Sequence, residues 1–189
     1  MRIFLVLLIL IFGIQSWTKA DDISEFEIEG MSIGDSLLDY LDYKVIMERK
    51  RTPYKSKKFA SVTGFFEEGS TYDGYLVHFK SNDPKLKIEA LQGVILYKSN
   101  IQECYKVKKK IVSELDIIFK NAKKEFWKKS HVADKSGKSK TDNTQYTFNS
   151  GGHSRVTCSD WSDQMDYTDK LTVSVVTNEF VNWIEDEAY

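Results

Sequence analysis

Four aspartates, Asp160, Asp163, Asp166 and Asp169, recur at every third residue beside Trp161 and Tyr167. Several carboxylates in one short segment are the hard oxygen donors that calcium takes. A calcium loop, however, spaces its ligands two apart and bends on a glycine, and none stands between Asp160 and Asp169. The four are weak metal candidates, and a solvated connector is the plainer reading. Gly137-Lys138-Ser139 suggests a phosphate loop, but the glycine required five positions earlier is Val132, and no strand precedes it.

Nucleophilic catalysis needs a serine or cysteine, a histidine and a carboxylate. His78 falls in an alternating strand and reads as structural, and His153 falls at a turn and reads as solvated. No catalytic residue and no cofactor is assigned. A carboxylate pair for glycoside cleavage need not be adjacent in sequence, and nothing specific points to one.

The two cysteines, Cys104 and Cys158, predict one disulfide in an exported chain. It closes a loop of 54 positions, stabilising by about 4 kcal/mol in the chain-entropy picture. Two separately buried thiols are the alternative. None of the three histidines lies at metal-ligand spacing from either cysteine.

Export is read from the first twenty residues. Arg2 precedes an apolar run from Ile3 to Ile14, and Thr18-Lys19-Ala20 ends on small residues as a cleavage site does. Residues 1–20 are read as a signal peptide, a retained anchor being the alternative. The mature chain, 21–189, has no second long apolar run, so no membrane span is expected after cleavage. No Asn-x-Ser/Thr acceptor is present.

The net charge of −1 is unevenly spread. Residues 21–43 hold eight acids and no base, residues 158–189 hold eight acids and one base, and the segment 44–157 carries +12. Acidic ends folding back on a basic middle are preferred over a basic surface for an anionic partner. Aromatic residues do not interleave with the lysines as single-strand binding requires, so no nucleic-acid partner is expected.

These residues need a scaffold. Ile101, Cys104, Val107, Ile111, Leu115, Ile118, Ala122 and Phe126 recur in steps of three and four. They predict one long amphipathic helix from Asn100 to Trp127, capped by Asn100 with Glu103. Alternating stretches Phe59–Phe66, Tyr75–Lys80 and Leu86–Lys98, the last interrupted at Gly93, predict a meander. Gln145–Asn149 and Ser154–Trp161 predict a hairpin across two glycines, and Leu171–Val175 a last strand. Residues 128–144 read as a mobile polar loop. Short helices follow Ser36 and Asn178. The expected fold is a single α+β domain: one antiparallel sheet of five or six strands, the long helix packed on one face, and short N- and C-terminal helices.

The run from Phe26 through Gly30-Met31-Ser32-Ile33-Gly34 to Tyr40, the segment Cys158-Ser159-Asp160-Trp161, and the ending with Phe180, Trp183 and Ala188-Tyr189 resemble a family of small exported proteins of marine planktonic bacteria. The resemblance implies a location and carries no activity. The glycine-bounded turn before a capped helix is also similar to small envelope-assembly modules, and it is a turn without chemistry.

The expected role is a non-catalytic binding or interaction protein of the bacterial cell envelope, periplasmic or secreted, with another envelope protein as partner. A small secreted hydrolase with a loop-borne site, or a carrier with an aromatic-lined pocket between sheet and helix, are the alternatives. The oligomeric state is left open.

Overall fold

The computed structural model describes residues 23, 26–98 and 100–188. The leader expected over 1–20 lies outside them. Along the chain come β1 (Glu27–Ile28), β2 (Met31–Ser32), α1 (Tyr43–Arg49), β3 (Phe59–Phe65), β4 (Gly74–Lys80), β5 (Ile88–Tyr97) and α2 (Ile101–Ile118). Then follow β6 (Lys123–Ser130), β7 (Lys140–Thr147), β8 (His153–Asp160), β9 (Asp169–Val176) and α3 (Asn178–Asp186). β1 and β2 form a small sheet of their own, and the other seven strands form one sheet in the order β3-β4-β5-β9-β8-β7-β6. Every pairing in it is antiparallel. Two meanders, β3–β5 and β6–β9, are zipped together by β5 against β9, and α2 carries the chain from one to the far edge of the other.

The α+β class holds, but a single sheet of five or six strands with one long helix does not. The helix stops at Ile118, and the segment behind it is strand β6. Phe119 is the reason. On leaving the helix it buries against Tyr146 and Phe148, ring centroids 5.5 and 4.9 Å away. Its N–H closes the helix on the Leu115 carbonyl. Of the residues that continued the stripe, Ala122 falls in the bend before β6 and Phe126 in β6 itself. The segment 128–144 is no loop throughout: its ends belong to β6 and β7, paired from Lys123↔Thr147 to Ser130↔Lys140.

β5 runs unbroken through Gly93, where the Tyr72 ring lies so close that an added Cβ would come within 2.6 Å of it. A side chain there would displace the ring. α3 is capped by Thr177, whose side chain accepts from the Phe180 N–H, one residue before the expected cap.

The sheet is covered on both faces. Against one face α2 lays Cys104 and Leu115, and the β1–β2 hairpin lays Ile28 and Met31, over Val77, Leu91, Val156 and Val173. Ile111 packs at the margin of this core. Ile118, at the last turn, is 43% exposed. Cys104 and Cys158 are joined, Cα atoms 6.0 Å apart, tying the first turn of α2 to β8. Against the other face, at one corner only, α3 sets Phe180 and Trp183 over Phe59, Ala90 and Val176. Glu179 of α3 pairs with Lys80 at 2.7 Å and with Lys58, so the acidic tail does fold onto the basic middle. Among the described residues no helix is long and apolar enough to cross a membrane.

Candidate functional site

The four sequence-predicted aspartates are near neighbours. Asp160 ends β8, Asp163 opens a single 3-10 turn, Asp166 has the left-handed φ of 51°, and Asp169 starts β9. With Trp161 and Tyr167 they ring a hollow of about 570 Å³. Asp169 is engaged, accepting the Trp161 N–H at 2.7 Å. Burial raises the Asp160 carboxyl above the usual range, and Asp169 raises it further. Trp161 is flanked by His131 and Tyr167, with ring centroids 4.1 and 4.8 Å away. Among the described residues no three His, Cys, Asp or Glu side chains are arranged to hold a metal.

Gly137-Lys138-Ser139 belongs to the β6–β7 turn. Asp134 organises that turn, accepting from the Ser139 backbone and hydroxyl at 2.8 and 2.6 Å and from the Ser136 N–H at 2.8 Å. These bonds hold the Asp134 carboxyl far below the usual carboxylate range. The backbone donors that a phosphate loop would offer to a ligand are spent within the turn, the Ser139 N–H on this carboxylate, the Gly137 N–H on the Asp134 carbonyl and the Lys138 N–H on Ser136 Oγ.

Gly30-Met31-Ser32-Ile33-Gly34 also has the spacing of a hydrolase nucleophile elbow. Its context differs. An elbow places serine on a strained turn between strand and helix. Ser32 lies in the two-residue β2, and its φ is not among the left-handed ones. Its N–H donates to Asp35 at 2.8 Å, and no described histidine hydrogen-bonds to it.

The chemistry concentrates on the sheet face that α3 covers only in part. Because strand residues alternate, one row across the sheet holds Leu76, Gln92, Ser174, Arg155 and Gln145, each directly opposite the next. The neighbouring row brings His78, Ala90, Val176 and His153 to the same face. α3 crosses the corner above them and ends at Asp186. Between helix and sheet it leaves a cavity of about 350 Å³, with Arg155, Glu185 and both histidines among its walls. Phe180 and Ile184 from above, and Leu76 from below, make the apolar side.

Arg155 is the most telling group. Its Nε donates to Gln145 Oε1 at 2.9 Å, Nη2 donates to the same oxygen, and the guanidinium lies 5.3 Å from the Trp127 ring centroid. Burial lowers its proton affinity, against the opposing pull of Glu185. It forms no ion pair with any described carboxylate. His78, 3% exposed, lies with Nε2 3.2 Å from Tyr54 Oη, while its buried Nδ1 has no hydrogen-bond partner among the described residues. Burial pushes the His78 ring down to about 4. His153 is likewise pushed to about 4, by burial first and Arg155 second. Both are therefore neutral at pH 7. His78 is thus not the fully satisfied structural residue expected, and His153 opens β8 at the cavity wall, half-buried.

Such a site holds one cation, one carboxylate, neutral polar groups and an apolar wall. Alternation in the stretch 154–161 puts Arg155 on the face opposite Val156 and Cys158, a signal present in the sequence but not interpretable until the layer above it was known.

No family model matches this chain, and no curated protein is similar to it.

Proposed function

We propose that this chain is an exported, non-catalytic binding protein that holds a small organic ligand with a negatively charged group in the cavity between the sheet and α3. The observation that carries the reading is Arg155: a half-buried guanidinium with no carboxylate partner among the described residues, facing a cavity. A buried charge is costly unless paired, and a charge-assisted hydrogen bond contributes about 1.5–3 kcal/mol. A ligand anion supplies the missing partner, and the Phe180, Ile184 and Leu76 wall takes up its apolar part. The N-terminal leader pattern and the Cys104–Cys158 bridge support an oxidising, extracytoplasmic location.

The test is native mass spectrometry of protein purified from the periplasm. A small molecule retained by the wild type and lost from Arg155→Gln supports the reading. A wild type that carries nothing and gains no thermal stability from any member of a library of organic anions contradicts it.

A second reading, docking of an envelope protein, is favoured by β6. It is an edge strand of the sheet, and its Phe126 is 61% exposed. Unpaired strand edges accept partner strands. Crosslinking from position 126 in cells, with recovery of one stoichiometric protein, is the corresponding test.

A further inference from the structure

Charged groups in the cavity wall number two, Arg155 and Glu185, and they are of opposite sign. The two histidines beside them add no charge at neutral pH. Arg155 and Glu185 sense each other, since Glu185 raises the proton affinity of the guanidinium, yet they do not form an ion pair. Each therefore keeps its charge available toward the space between them. A dianion is disfavoured there, because Glu185 repels the second charge. A neutral sugar leaves Arg155 unpaired and sets hydroxyls against Phe180, Ile184 and Leu76. A fatty acid pairs Arg155 but leaves Glu185 without a cation.

We infer that the ligand is a small apolar zwitterion, an α-amino acid with an aliphatic or aromatic side chain. Its carboxylate lies on Arg155, its ammonium faces Glu185, and its side chain lies along the Phe180–Ile184 wall. This rests on the cavity-binding reading proposed above. Three further observations agree with it. The volume, about 350 Å³, is at the small end of the range of about 300–1,000 Å³ that ligand pockets span. Gln145 anchors the guanidinium from one side, which fixes the remaining N–H groups for a carboxylate. The buried His78 Nδ1, in a residue of the same wall, lacks a partner among the described residues, so the site has unused polar capacity beyond its two charges.

The experiment is isothermal titration of the full chain at pH 7 with three probe sets. These are L-leucine and L-phenylalanine, the matching acids without the amine (4-methylpentanoate and 3-phenylpropanoate), and the matching amines without the carboxylate. The amino acids are expected to bind about two- to fivefold tighter than the acids, the worth of one solvent-exposed ion pair, and the amines weakest of all. Glu185→Gln is expected to remove the preference for amino acid over acid, weakening the amino acids while tightening the acids, which no longer face a like charge. Because Glu185 is exposed, this variant tests the idea without endangering the fold. Acids binding as tightly as amino acids to the wild type overturn the zwitterion but leave the cavity reading standing. Failure of all three sets, with circular dichroism showing a folded protein, overturns this inference. The library screen described above decides separately whether the cavity reading falls with it.

Discussion

The guanidinium of Arg155 rests 5.3 Å from the indole centroid of Trp127, two strands away across β7. The aromatic face and the Gln145 oxygen hold the cation in place without neutralising it. Groups arranged for stability pair their charges, whereas groups arranged for a ligand leave one charge waiting. Arg155→Met is therefore expected to change the ligand-free stability by less than about 1 kcal/mol, since the lost hydrogen bonds are offset by relief of the desolvated charge. Urea unfolding measures this. The same substitution is expected to abolish binding of any anionic ligand. A loss of several kcal/mol in the empty protein would reassign Arg155 to the scaffold.

His78 gives the fold a pH dependence whose sign is fixed. Its folded-state pKa, about 4, lies below the ordinary value of 6.5, so the unfolded chain binds the proton more readily. Stability is full above pH 6.5, declines as pH falls toward 4, and is level below that. At pH 5 the loss from His78 is about 2 kcal/mol. His153 shifts in the same direction and adds to it. Denaturant midpoints at pH 7 and pH 5 measure the sum. His78→Phe, which keeps a ring beside Phe180, is expected to remove the His78 share. An unchanged pH slope in that variant would refute the assignment.

The covalent tie is testable by itself. Cys104 and Cys158 are both fully buried and span 54 positions. Replacing both with alanine is expected to cost about 4 kcal/mol through the entropy of the unfolded chain, plus a small cavity term. Urea melts with and without reductant should reproduce most of the difference in the wild type. Equal stability with and without reductant would show that the bond contributes nothing.

How much of this was legible in the sequence depended on whether a residue's role was local. The meander β3–β5 was legible because alternation and turn residues are local signals, and Cys104–Cys158 because only two cysteines exist. β6 was not. Its Lys-Lys-Glu-Phe-Trp-Lys-Lys-Ser string is an edge strand, and it lacks the apolar alternation that marks a buried face. The helix end was hidden because Phe119 is buried by partners distant in sequence, Tyr146 and Phe148. The cavity was illegible for the same reason. Its walls come from β4, β5, β8, β9, α3 and Tyr54 in the connection before β3, and nothing in the vicinity of Arg155 in sequence announces Glu185 or Phe180. The Asp160–Asp169 series was legible as a series, but its spacing of three follows a turn and not a shared centre.

Lys108 exposes the same limit and yields the sharpest energetic test. It sits on the buried side of α2, one turn beyond Cys104, although a lysine on an amphipathic helix ordinarily faces solvent. There it is hydrogen-bonded to Asp142 of β7. Asp142 has a second partner, Lys128, at 2.9 Å. Burial pushes the Asp142 carboxyl up, but hydrogen bonds from both lysines more than offset this and hold it below the usual range. The partnership is therefore unequal: Asp142 can lose one lysine and remain paired, while Lys108 has no other carboxylate among the described residues. Removing one member of a buried pair costs about 3–5 kcal/mol when the other is left uncompensated. Asp142→Asn is expected to fall in that range, and Lys108→Met, which leaves Asp142 on Lys128 and packs a chain of similar length beside Phe126, about 1 kcal/mol or less. Urea unfolding of the two single variants and the double variant decides the point. The double variant should recover much of what Asp142→Asn loses, because no stranded charge remains. Costs below about 1 kcal/mol for both single changes would mean that the pair is worth no more than a surface contact, and equal costs of several kcal/mol would refute the inequality between the partners.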